Sequence, residues 1–402
     1  MPSDKGAAGS AAAASATVPV AEARGAADAT GSETSAPLLR VRDLCQAFPM
    51  RVGGRKRPVP VVEGVSFDIA AGESLGLVGE SGCGKTTVGR CVMHLYEPTS
   101  GTVELNGVPV TKRTARDAYR SMQMVFQDPY TSLDPRKTIA SIVEEPLRIQ
   151  KVGDRASRRE RAARAVQLVG LEPATLERYP FSLSGGQRQR VAIARALVSD
   201  PSFVICDEAV SALDVSVQAQ VLNILVDLQR RLGLSYLFIS HDLAVVRHVC
   251  ERIAVMYLGR LVEVAPTNEL FSRPRHPYVE ALLSAIPVPD PARARTSRRI
   301  TLEGELPALA NLPAGCVFST RCPYAQQRCR EQRPQLEEVA PGHTCACLRW
   351  RELSLSGVAE LGIAAGPAGA PAPAGSAGAA ASPTDDPAPV QDVPASVSPS
   401  SL

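Results

Sequence analysis

A glycine-rich segment with a lysine and a hydroxyl group is the clearest chemical signal in the sequence. Residues 79–86 read GESGCGKT and match the pattern G-x-x-x-x-G-K-[ST]. In this pattern the glycines let backbone N–H groups face a phosphate, the lysine neutralises phosphate oxygens and the last hydroxyl ligates Mg²⁺. The alternative is a glycine-rich turn with an incidental lysine. The residues expected to contact a bound nucleotide are Gly79, Glu80, Ser81, Gly82, Cys83, Gly84, Lys85, Thr86 and Thr87.

Two adjacent carboxylates follow an apolar run further along the chain. Residues 203–206 read FVIC, as a buried strand does, and Asp207 and Glu208 come directly after them. Ligands bind beside the carboxyl ends of strands in open α/β sheets. We therefore expect Asp207 to hold Mg²⁺, through water, and Glu208 to polarise an attacking water. Acids often end a strand, but the pairing with the glycine-rich segment indicates nucleotide hydrolysis.

Alternating strand and helix patterns surround these residues. Apolar runs predict strands over residues 38–44, 61–69, 74–78, 102–110, 122–126, 203–206, 236–239 and 253–256. Helical periodicity predicts helices over about 85–96, over about 215–232, from 243 onwards and through much of 138–198. This alternation is typical of a parallel α/β sheet, and the helical block between sheet strands predicts an inserted subdomain.

Composition narrows the classes of function. Of the 402 residues 45% are apolar and 21% charged, and the formal net charge is +3. No run approaches the ~20 apolar residues of a membrane span, we expect no secretory signal, and a dedicated nucleic-acid binder is usually more basic. The Ala-rich ends, residues 1–37 and 364–402, predict disordered tails. Both tails are net acidic, so the remaining core is more basic than the total and suits polyanionic nucleotides.

Four further motifs occur in the order found in ABC transporter ATPases. Residues 183–187 read LSGGQ, which resembles the signature sequence of that family. Gln127 in VFQDP is similar to the Q-loop glutamine, residues 211–214 (SALD) to the D-loop, and His241 to the switch histidine. The resemblance implies an α/β fold of the P-loop NTPase, ABC ATPase type, with a RecA-like core, an inserted helical subdomain and a small Cys-rich C-terminal extension.

The resemblance also implies roles for single residues. Gln127 would join Thr86 and Asp207 around Mg²⁺, His241 would touch the γ-phosphate, and Glu208 would be the catalytic carboxylate. The alternative for His241 is a histidine at a strand end whose hydrogen bonds are made within the protein. Phe48 is the implied partner of the adenine, and a position in the hydrophobic core is the alternative for it. The implied nucleotide contacts outside the glycine-rich segment are Phe48, Ser184, Gly185, Gly186, Gln187 and Asp214. The family often has Pro after its Asp-Glu pair, whereas Ala209 stands here.

In that family the signature faces the ATP of an opposite subunit. One copy of each motif in this chain therefore implies a second ATPase subunit, supplied by another chain or by another copy of this one.

Residues after about 270 are similar to the C-terminal extension of oligopeptide/dipeptide importer ATPases, beginning with the sequence HPY at 276–278. The resemblance implies an ATPase domain at 38–270, with its helical subdomain at about 128–198, and an extension at 271–350. It implies import of di- or oligopeptides by a peripheral subunit on the cytoplasmic face of the cell membrane. The implied partners are a paralogous ATPase, two permease subunits and, indirectly, an extracytoplasmic solute-binding protein, with no nucleic acid. The alternatives are transport of nickel or another small solute, or a soluble ABC ATPase acting on nucleic acid or ribosomes.

Five of the ten cysteines crowd into residues 316–347. Cys316, Cys322 and Cys329, followed by Cys345 or Cys347, have spacings that fit either tetrahedral zinc or an iron–sulfur cluster. Reduced core cysteines without metal are a further alternative. The importer resemblance implies a [4Fe–4S] cluster with Cys347 as the fourth ligand.

Overall fold

The computed structural model describes residues 36–128, 132–286 and 299–358, and two β-sheets organise them. The predicted tail 364–402 and almost all of the predicted tail 1–37 lie outside the described residues. No helix in the described part of the chain is both long enough and apolar enough to span a membrane.

The larger sheet has eight strands and carries the glycine-rich segment at its centre. Its order is β11-β12-β10-β9-β3-β8-β7-β6, of which β9, β3, β8, β7 and β6 run parallel and the others antiparallel. The bounds are β3 (Ser74–Val78), β6 (Met122–Val125), β7 (Phe203–Asp207), β8 (Ser235–Ser240), β9 (Arg252–Tyr257), β10 (Arg260–Pro266), β11 (Glu337–Ala340) and β12 (His343–Cys345). Every residue of β3, β7 and β8 is buried, because helices cover both faces of a parallel sheet.

The smaller sheet is antiparallel, in the order β2-β1-β4-β5. Its strands are β1 (Leu39–Val52), β2 (Arg55–Ile69), β4 (Ser100–Leu105) and β5 (Val108–Pro109). β1 and β2 extend past the predicted 38–44 and 61–69, because the two-residue turn at Gly53 and Gly54, with φ of 57° and 83°, closes a long hairpin. The predicted single strand at 102–110 is wrong: Asn106 and Gly107, also at positive φ, turn it into a second hairpin.

Eleven helices are described. Their bounds are α1 (Lys85–Val92), α2 (Ala115–Ser121), α3 (Ile139–Val143), α4 (Glu145–Ile149), α5 (Arg155–Leu168), α6 (Gly185–Leu197), α7 (Val215–Leu232), α8 (Leu243–Val249), α9 (Thr267–Ser272), α10 (Pro277–Ser284) and α11 (Gln327–Glu331). α1 ends four residues before the predicted end, because the chain turns at His94, whose φ is 53°. α3 to α6 form the helical block between β6 and β7, as predicted from the sequence.

Residues 299–358 pack on the part of the chain that contains the strands β1 to β10 and the helices α1 to α10. β12 pairs with β10, so that β11 and β12 extend the larger sheet at one edge. The Phe318 ring lies 5.2 Å from the Tyr257 ring and 5.4 Å from the Tyr278 ring, centroid to centroid, and all three side chains are buried in one core. The Glu263 carboxylate is fully buried, and its Oε1 lies 2.8 Å from His343 Nε2. The same carboxylate accepts hydrogen bonds from the backbone N–H groups of Arg275 and His276.

Candidate functional site

The glycine-rich segment connects β3 to α1 in a loop that leaves no room for side chains at two positions. A Cβ on Gly79 would lie 2.1 Å from the carbonyl oxygen of Met256 in β9. A Cβ on Gly84, whose φ is 105°, would lie 2.7 Å from the carbonyl oxygen of Val61 in β2. The loop therefore adopts this close packing only with glycine at both places.

Lys85 lies inside this loop. Its side chain is almost fully buried, with 4% exposed, and its ammonium donates to the carbonyl oxygens of Gly79 at 2.8 Å and Glu80 at 3.0 Å. The positive charge is therefore held at the centre of the curve that the loop makes. Ser81 and Gly82, at the tip, are exposed.

Thr86 and Asp207 bring two oxygen ligands together at the end of the sheet. The Thr86 hydroxyl donates to Asp207 Oδ1 at 2.9 Å. Asp207 is 2% exposed, and this burial raises the pKa of its carboxyl group, while the Thr86 hydrogen bond acts against the rise. Hard oxygen ligands of this kind are what Mg²⁺ prefers, so the side chains present fit the predicted magnesium position.

Gln127, Glu208 and His241 meet beside that pair. Gln127 Nε2 donates to Glu208 Oε2 at 2.8 Å, and His241 Nδ1 lies 3.5 Å from Glu208 Oε1. Glu208 itself has a φ of 47°, unusual for a residue with a side chain. Its backbone N–H donates to Ile239 and its carbonyl accepts from Ser211, which hold this conformation at the end of β7. The sequence predicted these three residues as one site, and the structure brings them together.

The signature residues lie at the N-terminus of α6, where Ser184 is exposed and Leu183 and Gly186 are buried. The Ser184 hydroxyl accepts from the Gln187 backbone N–H at 3.3 Å, and Gln187 Oε1 accepts from the Ser184 N–H at 3.1 Å, which is a capping box. A Cβ on Gly186 would lie 2.3 Å from Val217 Cγ1, so this glycine fixes how closely α6 packs on α7. The Gly185 backbone lies in the first turn of the same helix.

Two predicted nucleotide contacts stand apart from the loop. Asp214 is exposed at the start of α7, where its side chain makes no cap hydrogen bond. Phe48 is half-buried in β1, and its ring packs edge-on against Tyr96 at 5.3 Å between centroids. Thr87 lies in the first turn of α1.

Sequence reasoning missed two residues that contact the glycine-rich segment. Tyr278 Oη accepts from the Glu80 N–H at 3.0 Å, and Arg321 Nη1 lies 2.9 and 3.1 Å from the two Glu80 carboxylate oxygens. Both contacts join positions about 200 or more apart in the chain. The HPY sequence marks Tyr278 as part of the C-terminal extension, but it does not predict a contact with this loop.

Four cysteines line one cavity of about 20 Å³ beneath Phe318. They are Cys316, Cys322, Cys329 and Cys347. Cys345 is buried in β12 and does not line the cavity. Burial raises the pKa of the Cys322 thiol to about 12 and of the Cys347 thiol to about 11. In the described ranges, no three His, Cys, Asp or Glu side chains form a group that could hold a metal ion, so the coordination shell predicted from the spacing is not formed.

A cavity of about 710 Å³ lies between the sheet and the helical block. It reaches Gln127 and Asp207 at one side and the exposed side chain of Ile149 at the other. Leu95 and Phe126, also exposed, line it too. The lining of the cavity therefore contains both exposed apolar side chains and two of the predicted site residues.

Comparison with known proteins found two families in the sequence. The ABC transporter family matches residues 62–211, and the family described as oligopeptide/dipeptide transporter, C-terminal region, matches residues 262–329. A putative peptide import ATP-binding protein of Brucella ovis is 54% identical over 319 residues, which is 79% of this chain and 99% of that protein. The oligopeptide transport ATP-binding protein AppF of Bacillus subtilis is 48% identical over 77% of this chain and 96% of its own length.

Solved structures with the same architecture are also found. The ATP-binding cassette MJ0796, a dimer in a post-hydrolysis state bound to ADP and Pi, superposes with a TM-score of 0.51 at 28% identity, covering 57% of this chain and 98% of that one. The cbiO1 protein from Clostridium perfringens, part of the cbiONQ transporter complex, gives a TM-score of 0.52 at 26% identity, covering 58% and 90%.

Proposed function

This chain belongs to the ABC transporter family, in the group that carries the oligopeptide/dipeptide transporter C-terminal region, and we propose that it hydrolyses ATP to import di- or oligopeptides through separate permease subunits. As a family member it is an ATPase with the P-loop fold. The observation that carries the proposal is the Gln127–Glu208 hydrogen bond beside the Thr86–Asp207 pair.

The side chains at the carboxyl ends of β3, β6, β7 and β8 have different roles in hydrolysis. The loop amides and Lys85 bind the phosphate groups and offset their charge, because phosphoryl transfer depends on positioning and charge neutralisation. Thr86, Asp207 and Gln127 would hold Mg²⁺, which would supply positive charge to offset the charge on the phosphate oxygens. Glu208 accepts a proton from the attacking water, Gln127 orients the Glu208 carboxylate, and His241 contacts the γ-phosphate.

A second cassette completes the site. Ser184 is exposed at the N-terminus of α6, the backbone of Gly185 and Gly186 forms the first turn, and helix N-termini bind anions. Two copies placed head to tail would bring this signature to the ATP of the opposite subunit, with Gln187 and Asp214 at the interface. The dimeric cassette MJ0796 supports this arrangement, and we expect the partner to be a paralogue. Phe48 would stack on the adenine.

The large cavity beside Gln127 is the surface that we assign to a permease. Its exposed apolar residues include Ile149, and it opens on Gln127 and Asp207. A segment of a membrane subunit seated there would contact both the helical block and the hydrolysis site. This would keep the chain peripheral, on the cytoplasmic face of the cell membrane, with a solute-binding protein on the other side.

The names of the relatives support peptide cargo: the Brucella ovis protein is called a peptide import protein and AppF an oligopeptide transport protein. Nickel or another small solute remains the second candidate, because cargo is selected by other subunits. A soluble ABC ATPase acting on nucleic acid or ribosomes is the third.

The residue ranges follow from these assignments. We propose an ATPase domain at 38–270, with a helical subdomain at about 128–198, and a Cys-rich extension at 271–350. The four cysteines around one cavity do not form a coordination shell as they stand, and we propose that they close on a [4Fe–4S] cluster or zinc when it binds. Such a group would cross-link the turns of the extension, and the fact that Cys347 lines the cavity supports it over Cys345 as the fourth ligand.

Affinity purification of the full chain from membranes of the cells that produce it tests the proposal. We expect hydrophobic permease subunits and a second ATPase to co-purify, and peptide to stimulate ATP hydrolysis once the complex is in liposomes with its binding protein. Co-purification of ribosomes without permeases would overturn the transport assignment, and stimulation by nickel but not by peptide would overturn the cargo.

A further inference from the structure

Side chains hold all three polar groups of Glu80, the second residue of the glycine-rich loop. Its N–H donates to Tyr278 Oη at 3.0 Å, its carbonyl accepts from Lys85 at 3.0 Å, and its carboxylate pairs with Arg321. Arg321 is 11% exposed and Glu80 29%, so water screens their ion pair less than it screens a pair on the surface. Two of these three contacts, those from Tyr278 and Arg321, come from outside the loop.

The outside partners come from the C-terminal region. Arg321 lies one residue before Cys322, in a turn where its own N–H donates to the Phe318 carbonyl at 3.0 Å. Phe318 packs on Tyr278, the other residue that holds Glu80. The turn that carries Arg321 is also tied at its start, because the Cys316 N–H donates to the Cys329 carbonyl at 2.8 Å. The cysteine cavity and the nucleotide loop are thus connected through one turn of chain.

We propose that Arg321 and Tyr278 are positioning residues for the nucleotide loop. Through them, the degree to which the turn at residues 316–322, beside the cysteine cavity, is ordered sets the affinity for ATP. Neither side chain acts on the phosphate. They hold Glu80 so that the amides after it keep the curve that accepts phosphate oxygens. When the turn at 316–322 loosens, Arg321 moves away from Glu80. The nucleotide loop then loses conformational entropy when ATP binds, which lowers the affinity. The proposal rests on the proposed use of this loop as the ATP site.

Coupling of this kind acts in both directions. If the turn at 316–322 favours nucleotide binding, bound nucleotide must stabilise the turn by the same factor. The thiol of Cys322 should then react more slowly when nucleotide is present, even though it lies outside the nucleotide site.

The first test compares two arginines of the same region. Arg321→Gln removes the bond to Glu80, whereas Arg333→Gln removes an ion pair to Glu63 in β2, at 3.3 Å, that does not touch the loop. With the full-length chain and a fluorescent ADP analogue, we expect R321Q to raise the Kd about fivefold or more and R333Q to leave it unchanged. The KM for ATP should rise with little change in kcat, and Arg321→Lys should restore part of the affinity. An R321Q chain that folds and binds as tightly as wild type would overturn the proposal.

The second test combines a double variant with a measurement on wild type, and the wild-type measurement does not depend on R321Q being folded. Glu80→Gln weakens the same bond from the other side, so the R321Q effect should be much smaller in that background. The second measurement uses wild-type protein from which a chelator has removed any bound metal. We expect ADP to slow the alkylation of Cys322 by iodoacetamide, as measured by peptide mass spectrometry. If wild type binds the ADP analogue and Cys322 reacts equally fast with and without it, the coupling is wrong. If wild type binds no nucleotide, the proposed function itself fails, and the two failures are distinct.

Discussion

The amide of Gln127 donates a 2.8 Å hydrogen bond to the carboxylate of Glu208, across 81 residues of sequence. Gln127 follows β6, at one edge of the larger sheet, and Glu208 follows β7, its neighbour. The same Gln127 lines the cavity that we assign to a permease. In the function proposed above, a movement of the helical block would change the orientation of the Glu208 carboxylate, and this would link transport to hydrolysis.

Glu208→Gln should abolish turnover and leave nucleotide binding intact. The amide keeps the shape of the side chain but cannot take a proton from water, and general-base catalysis contributes typically 10²–10⁴-fold, so we expect kcat to fall by about 10² or more. Steady-state ATPase assays and ATP titration measure the two quantities. Glu269→Gln, at an exposed position of α9, is the matched control. Wild-type turnover in E208Q would remove Glu208 from its catalytic role.

Ile149→Glu should uncouple the chain from its permease without slowing its own ATPase. Ile149 is 69% exposed at the end of α4 and lines the large cavity, so a charge there opposes burial of an apolar partner segment. We expect loss of permease co-purification and of transport. Met50→Glu, which is 46% exposed on the β1–β2 hairpin, should do neither. A stable, active transporter that contains I149E would contradict the assignment of the large cavity to a permease.

Gly186→Ala should destabilise the packing of α6 on α7. The new methyl group would lie 2.3 Å from Val217 Cγ1, and overpacking of this kind costs about 1–3 kcal/mol. Denaturant unfolding measures the loss. The double variant G186A/V217A, which frees the space, should recover most of the stability. A single variant as stable as wild type would show that the two helices separate without cost.

His343→Leu should destabilise the attachment of the C-terminal region. His343 Nε2 and Glu263 Oε1 are 2.8 Å apart with side chains 2% and 0% exposed, and burial raises the pKa of the Glu263 carboxyl group. Loss of the imidazole leaves the buried Glu263 carboxylate with its two backbone N–H donors alone, and we expect the lost hydrogen bond to cost about 1.5–3 kcal/mol in the free energy of unfolding. His248→Leu, which removes an exposed contact to Asn223, should cost less than about 1 kcal/mol. Equal effects of the two substitutions would refute the role of the buried pair.

Cys347→Ser and Cys345→Ser separate the two candidates for the fourth ligand. Cys347 lines the cavity shared by Cys316, Cys322 and Cys329, whereas Cys345 lies in β12. After anaerobic purification we expect C347S to lose bound metal and C345S to keep it, as measured by iron and zinc analysis. A colourless wild-type protein with stoichiometric zinc would exclude the iron–sulfur cluster. Metal retained in C347S would exclude Cys347.

The sequence alone predicts the part of the fold that depends on local patterns. The strand before Gly79 and the helix from Lys85 were predicted because apolar runs and a glycine-rich turn define them locally. The hairpin at 100–109 was not, although Asn106-Gly107 is a strong turn signal that a run of apolar residues concealed.

Contacts between distant parts of the chain were not predictable in this way. Gln127 and Glu208 were expected in one site only because each matches a family motif. Arg321 lies in the C-terminal extension that resembles a family, but the resemblance implied no role for it, and its contact with Glu80, 241 residues away, depends on how the C-terminal region folds back on the sheet. Nothing in the residues near Arg321 carries that information.

The antiparallel pairing of β12 with β10 has a consequence for how the chain can be shortened. β10 hydrogen-bonds to β9 on one side and to β12 on the other, and the Ala346 N–H donates to the Val262 carbonyl at 2.8 Å. A cassette cut after residue 270 would expose the backbone groups of β10 as an unpaired edge. Such edges recruit strands from other molecules. The residues after 299 thus protect the cassette from aggregation, and truncated chains should be handled as aggregation-prone species.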